Sequence, residues 1–241
     1  MINQQQNEKH TMAQSIFLHL FPGILIGGFY FLVRQPVQEL GYPSIFTLML
    51  AIAFVLVPLE LGYLLNKGKQ KTGRYTLKGI ISYRVSIPWW QYVVWVLIVL
   101  IMLGVIFTVL KPLDNILMEK LYFWVPTFES GLDGNFSKTA LIITYVTMLI
   151  FGVIVGPLVE ELYFRGYLLD RMPGNYAVLM HSFLFGLYHV WTPWMFLTRT
   201  VGMLPLIYAV KKKNIYIGII VHVLINSIDA IVGFAFIASM A

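Results

Sequence analysis

Three short polar motifs lie in the apolar C-terminal half of this chain, and each pairs residues four positions apart. In chain order they contain Glu160, Glu161 and Arg165, then Phe185 and His189, then His222 and Asn226. Residues four apart share a face of a helix, so Glu161 is placed to pair with Arg165. Ionisable groups at membrane depth cost about 2.5–3.5 kcal/mol each on insertion scales, which makes them candidates for function. Carboxylates and imidazoles accept and return protons, so these residue types point to acid–base chemistry.

The polar groups of the three motifs are expected to meet at one depth. A Pro-Gly turn at 173–174 separates two helices, and Glu160 and His189 lie on opposite sides of it. At the helical rise per residue, these two side chains stand ~20 Å and ~22 Å above the turn. His222 and Asn226 lie ~14 Å and ~20 Å along the last apolar segment from the lysines that precede it. The spacing therefore predicts one layer of polar groups inside the membrane.

The elements that carry these motifs are expected to be membrane helices. Hydrophobic residues make up 59% of the chain and charged residues only 12%, unlike the composition of soluble domains. Apolar runs of about 20 residues recur, and backbone groups in lipid must be bonded within their own segment. The predicted fold class is all-α, a polytopic helical membrane protein with about seven transmembrane helices and a C-terminal helix bundle that holds the motifs. The predicted spans are 14–33, 44–65, 89–110, 138–158 with a continuation beyond it, 175–191, 194–210 and 214–240.

The positive charges predict how the chain is oriented in the membrane. The connector after the second span contains six basic residues and no acid, namely Lys67, Lys69, Lys71, Arg74, Lys78 and Arg84. The positive-inside rule places this connector in the cytoplasm, so the N-terminus is expected to be cytoplasmic and the C-terminus outside. We expect an integral, multi-pass protein of a bacterial plasma membrane. The net charge of +6 reflects this topology, and no nucleic-acid partner is expected.

Three further polar residues of the apolar segments are expected to serve structure. Buried histidines in membrane helices commonly hydrogen-bond between helices, and we assign His19 and His181 to this role. Arg199 lies near the outer end of the sixth predicted span, where a long basic side chain is expected to extend to the membrane interface.

In order and spacing, the three motifs resemble those of the CPBP intramembrane proteases. This family comprises the CAAX prenyl endoproteases and bacterial relatives that include bacteriocin-processing and immunity proteins. The resemblance covers about 156–229. It implies N-terminal transmembrane helices and loops at 1–137 that pack and provide substrate access, followed by a CPBP-like catalytic membrane core at 138–241. It also implies an intramembrane endopeptidase whose partners are the lipid bilayer and a membrane-associated or hydrophobic-tailed peptide or protein substrate.

The resemblance further implies a role for each catalytic residue. Glu160 would be the general base, and His189 would hold and polarise the attacking water. His222 and Asn226 would donate hydrogen bonds to the negative charge that develops on the substrate. The Glu-Arg pair of the first motif would support the site with fixed charges.

Metal dependence separates two interpretations of the same residues. The preferred one has no cofactor, because the chain lacks a His-Glu-x-x-His motif and because an asparagine four residues after a histidine suits hydrogen bonding better than ligation. The alternative is a zinc ion bound by Glu160, His189 and His222 with one open position. The absence of cysteine excludes thiolate ligands and a cysteine nucleophile.

Two other classes of function compete with a peptidase. A non-catalytic bacteriocin-immunity or membrane scaffold protein could use the same fold. A proton- or ion-coupled transporter would also bury glutamate and histidine, but the pairs of broken helices in related halves that such transporters show are not evident here.

Overall fold

The described part of the chain is mostly helical and contains no strand. The structure, a computed structural model, describes residues 8–83 and 85–240, so Arg84 of the basic connector lies outside the described residues. A 3₁₀ turn at Pro193–Met195 precedes the helix that begins at Phe196. The long helices are α1 (Met12–Glu39), α2 (Ser44–Thr72), α3 (Trp89–Lys120), α4 (Lys138–Arg171), α5 (Ala177–Tyr188), α6 (Phe196–Lys212) and α7 (Ile215–Ser239).

The all-α, polytopic membrane fold is confirmed, whereas the number of seven spans is not. Five of these helices, α1 to α4 and α7, are long and apolar enough to cross a membrane. Helix α5 is not one of these five, because it has 12 residues and is only ~18 Å long. It ends at Tyr188 because the backbone leaves the helical region at His189, so the predicted span at 175–191 is too long at both ends.

The central helix of the fold is α4. In its most apolar 18-residue window 44% of the residues are buried, against 17% for α3, whose apolar side chains face outward. As predicted, α4 continues past its apolar run as far as Arg171. Its backbone adopts wider π-helical turns at Met148–Val155 and at Glu161–Leu168, on either side of Pro157. Such turns shift the side-chain register and are frequent at functional sites.

The N-terminal helices pack directly against the helices that carry the motifs. A buried core joins Ile26 and Tyr30 of α1 and Leu56 of α2 to Phe164 of α4 and Tyr188 of α5. α1 also caps its own start, since the Thr11 side chain accepts from Gln14 N and the Gln14 side chain accepts from Thr11 N. The polar motifs are therefore enclosed by helices from both halves of the chain.

The crossing of α1 and α5 requires a glycine. A Cβ at Gly23 would overlap the Tyr188 carbonyl oxygen and lie 2.7 Å from the ring carbon Cδ2 of Tyr188. One turn further on, a Cβ at Gly28 would meet nothing within 4 Å. The two glycines thus form a matched pair on one helix.

We predict that Gly23→Ala destabilises the folded protein by about 1–3 kcal/mol, because the added methyl group must displace α5 or the Tyr188 ring. Gly28→Ala is expected to leave stability unchanged or slightly higher, since alanine is the better helix former. Thermal unfolding of the detergent-solubilised variants, followed by tryptophan fluorescence, measures both. Equal midpoints for the two variants would contradict the close packing of α1 on α5.

Candidate active site

Four of the predicted site residues line one cavity of about 870 Å³. They are Glu160 on α4, His189 directly after α5, and His222 and Asn226 on α7. Most of the other lining side chains are Met, Leu, Ile and Phe from α2, α3, α4, α6 and α7. A mainly apolar cavity of this size with a few convergent polar groups is typical of a ligand site. The three motifs thus meet as their spacing predicts.

The ion pair predicted within the first motif is present and completely buried. Arg165 Nη1 lies 3.1 Å from Glu161 Oε1, and both side chains are 0% exposed. The Arg165 guanidinium also stacks 3.9 Å from the ring centroid of Phe185, and its Nη2 lies 3.2 Å from Met203 Sδ. A charge this deeply buried is tolerated only with its counter-ion, so the pair ties α4 to α5 and α6.

His222 connects the third motif to both glutamates of the first. Its Nδ1 lies 3.0 Å from Glu161 Oε1, and its Nε2 lies 3.7 Å from Glu160 Oε2. Because Glu161 is ionised opposite Arg165, it accepts a hydrogen bond from His222 Nδ1, which therefore carries a proton. His222 Nε2 can then donate a hydrogen bond only when the ring is an imidazolium.

One hydrogen bond of the His189 ring determines which of its two nitrogens carries the proton. Its Nδ1 lies 3.0 Å from the backbone oxygen of Phe185, one turn earlier on α5. A carbonyl oxygen only accepts, so Nδ1 carries the proton and Nε2 keeps its lone pair. The ring packs edge-on against Phe185 at 4.9 Å between centroids and lies 5.0 Å from Trp191. His189 thus offers an acceptor nitrogen on a ring held by packing.

The amide of Asn226 is held by the backbone of α4. Its Nδ2 donates to Gly152 O at 2.9 Å, within the first π-helical segment. The second N–H of this amide has no other acceptor among the hydrogen bonds of the described residues. A Cβ at Gly152 would lie 2.8 Å from Met49 Sδ, so α2 also packs closely on α4 at this residue. Asn226 therefore keeps one donor next to the cavity.

Glu60 belongs to the site although it was not among the predicted site residues. The Tyr188 hydroxyl lies 2.9 Å from Glu60 Oε1 and 3.2 Å from Glu160 Oε1, and Glu60 is fully buried. The sequence contained one indication of Glu60, because it is the single acidic residue of the mostly apolar segment that forms α2. It comes from the half of the chain outside the motifs, where no partner could be assigned from spacing.

The Tyr188 hydroxyl lies between two carboxyl groups, those of Glu60 and Glu160. A hydroxyl carries one proton, so Tyr188 donates to one carboxylate and accepts from the other only if that other is protonated. Two full hydrogen bonds at this hydroxyl therefore require one carboxyl to be neutral.

His19 of α1 and His181 of α5 form a hydrogen bond between helices, the role that was predicted for both. His19 Nε2 lies 2.8 Å from His181 Nδ1, while His19 Nδ1 donates to Ser15 O at 2.6 Å. The second bond fixes His19 Nε2 as the acceptor of the first. Both rings pack against Phe164, next to the first motif.

Arg199 lies in the wall of the cavity, whereas its side chain was expected to extend to the membrane interface. The reason is local: a turn over 189–195 begins α6 at Phe196, and the side chain folds back so that Nη1 donates to Thr192 O at 3.2 Å. The place of Arg199 in the cavity wall was not predicted, and its extension to the membrane interface stays a prediction.

The described residues contain no group of three or more His, Asp or Glu side chains that could hold a metal ion. The alternative zinc set of Glu160, His189 and His222 stays a prediction, as does the metal-free interpretation. Within this set the His189 Nδ1 atom is used by the Phe185 carbonyl and the His222 Nδ1 atom by Glu161, so the Nε2 atom of each ring would be its ligand atom. The absence of a cofactor stays a prediction.

Comparison with known families agrees with the geometry. Residues 142–228, roughly a third of the chain, match the family model described as type II CAAX prenyl endopeptidase Rce1-like. Over this segment the chain is similar to the CPBP and CAAX protease family. The family is one of intramembrane proteases, and all three motifs lie within the matched CAAX-protease segment. No curated protein and no solved structure matches the chain.

The carboxyl–tyrosine–carboxyl arrangement predicts a neutral carboxylic acid in the folded protein. We expect infrared spectra at neutral pH to show a carboxylic-acid C=O band that Glu60→Gln removes, because Tyr188 then donates to an ionised Glu160 alone. Glu119→Gln, at an exposed position of α3, is the matched control and should leave the band unchanged. A spectrum without this band, or one in which both variants behave alike, would refute the shared proton.

Proposed function

We propose that this protein is an intramembrane endopeptidase that hydrolyses a peptide bond of a membrane-associated or hydrophobic-tailed substrate with an activated water and without a metal. The observation that carries the proposal is the mainly apolar cavity that Glu160, His189, His222 and Asn226 line together. Its apolar wall suits a hydrophobic peptide segment, while the polar groups are of the types that hydrolysis needs. The family of the 142–228 segment supports peptidase activity in general.

In the proposed mechanism, the water is held between Glu160 and His189. His189 Nε2 has a free lone pair and accepts one hydrogen bond from the water, which orients it. Glu160 accepts the second proton as the water attacks the carbonyl carbon. A carboxylate in apolar surroundings suits this task because it is a stronger base there than in water.

The developing oxyanion is stabilised from the α7 side. In this scheme His222 donates from Nε2 as an imidazolium, and Asn226 donates the N–H that Gly152 does not use. Preorganised donors of this kind are effective where water is excluded. Glu160 then returns its proton to the leaving amine, so the net reaction consumes one water and produces a new carboxylate and a new amine.

We further propose that the chain is oriented with the basic connector after α2 in the cytoplasm. The lysines in the last turns of α2, Lys67, Lys69 and Lys71, and those that end α6, Lys211 and Lys212, support this orientation by the positive-inside rule. The N-terminus is then cytoplasmic and the C-terminus outside, in a bacterial plasma membrane.

We predict that Glu160→Gln lowers the rate of peptide cleavage by about 10²–10⁴-fold, because the amide cannot accept the proton of the water. The measurement is the cleavage of hydrophobic peptides by purified protein in proteoliposomes. Glu119→Gln is the matched control and should retain the full rate.

Retained cleavage in Glu160→Gln would contradict the proposed base. If the unmodified protein cleaves no peptide but the cellular phenotype survives Glu160→Gln, the scaffold or immunity role is favoured instead. Cleavage that a strong chelator leaves unchanged supports the metal-free scheme, and cleavage that it abolishes and zinc restores would overturn it.

We predict that Asn226→Ala lowers kcat by about 10²–10³-fold with little change in KM, the result expected for the loss of one oxyanion donor. Ser227→Ala removes an exposed side-chain hydrogen bond one residue further on and should leave both constants unchanged. A rise in KM with constant kcat would instead assign Asn226 to substrate binding.

A further inference from the structure

Arg199 is a cation in the cavity wall without an ionic partner. Its guanidinium has one acceptor among the hydrogen bonds of the described residues, Thr192 O at 3.2 Å from Nη1. No ion pair within residues 8–83 and 85–240 includes it, although a guanidinium presents five N–H donors. Several of its donors are therefore left for a group inside the cavity.

The level of Arg199 matches that of the catalytic groups. α6 and α7 are neighbouring antiparallel helices joined by Lys213 and Asn214, so residues equally far from this turn lie at one height. Arg199 stands ~20 Å along α6 from its end, and Asn226 stands ~17 Å along α7 from its start. Arg199 is also near enough to Glu160 for their charges to interact.

The acid nearest to Arg199 in the fold does not neutralise it by contact. Asp114 on α3 is buried and accepts a hydrogen bond from Thr198 Oγ1 at 2.6 Å, but it makes no ion pair with Arg199 within 4 Å. Asp114 therefore serves to fix the start of α6 against α3. This leaves the guanidinium directed at a cavity whose nearby wall is Met195, Met203 and other apolar side chains.

An unpaired guanidinium in such surroundings is costly and gains most from a carboxylate. Burying a charge is repaid only when a partner supplies opposite charge and hydrogen bonds. The planar fork of arginine matches a carboxylate with two parallel N–H···O bonds, which gives both strength and orientation.

We propose that Arg199 binds a carboxylate of the peptide substrate and so positions the chain relative to Glu160 and His189. This inference rests on the proposed function and makes Arg199 a residue that determines substrate specificity. The carboxylate comes either from the free C-terminus of the peptide or from an acidic side chain of the peptide, and the two sources are chemically distinguishable.

The test measures binding, on a background that does not cleave. In Glu160→Gln, we would titrate three dansylated apolar pentapeptides that differ only in their carboxylates: a free C-terminal acid, its C-terminal amide, and the amide with one internal glutamate. We expect the free acid, the glutamate peptide or both to bind about 10- to 100-fold more tightly than the plain amide. The peptide that shows this preference identifies the source of the carboxylate.

Variants of Arg199 then assign the preference to its side chain. Added to Glu160→Gln, Arg199→Gln should reduce the affinity for the preferred peptide to that of the plain amide, and Arg199→Lys should retain part of the preference. Lys111→Gln, which removes an exposed positive charge from α3, is the matched control and should retain all of it.

Two outcomes would overturn the proposal. The first is equal binding of all three peptides to Glu160→Gln. This result needs no variant of Arg199, so it can be obtained even if Arg199→Gln fails to fold. The second is an equal loss for the acid and amide peptides in Arg199→Gln. Cleavage of the peptides by Glu160→Gln would contradict the general base, whereas the order of the three affinities tests Arg199 separately.

Discussion

The arrangement of the site depends on one buried ion pair. Glu161 and Arg165 lie at the middle of the bundle with no exposed surface, and neither charge is tolerable there without the other. The pair also has outward contacts: Arg165 stacks on Phe185 of α5, and Glu161 holds Nδ1 of His222 on α7. A single electrostatic constraint thus fixes three helices at the level of the cavity.

This constraint gives two adjacent glutamates different properties. Successive residues on a helix point about 100° apart. Glu161 therefore faces Arg165 and keeps a fixed charge, while Glu160 faces the cavity, near His222 Nε2 and the Tyr188 hydroxyl. Identical side chains can take opposite parts in one reaction when their surroundings differ in this way. Glu160 is available as the proposed base because Arg165 pairs with Glu161 and not with Glu160.

Local spacing determined which parts of the molecule could be predicted from sequence. The Glu161–Arg165 pair is a contact within one helix turn, and the common depth of His189 and His222 follows from helical rise, so both were predictable. Glu60 was not, because its partner Tyr188 lies on another helix and no periodicity links them. The position of Arg199 was missed for a related reason, since the turn before α6 redirects the side chain into the cavity. The number of spans was uncertain because apolar composition does not reveal that α5 ends after 12 residues.

The segment that carries the motifs does not complete the site by itself. Within 142–228 the carboxyl of Glu160 meets Tyr188 and His222, but the second carboxyl at Tyr188 is Glu60 on α2. The backbone that sets Tyr188 packs against Gly23 on α1. Because two full hydrogen bonds at this hydroxyl would require one carboxyl to be neutral, Glu60 couples α2 to the protonation of the cavity. The N-terminal helices therefore contribute to the acid–base state of the site as well as to its enclosure, and a description of the reaction must include them.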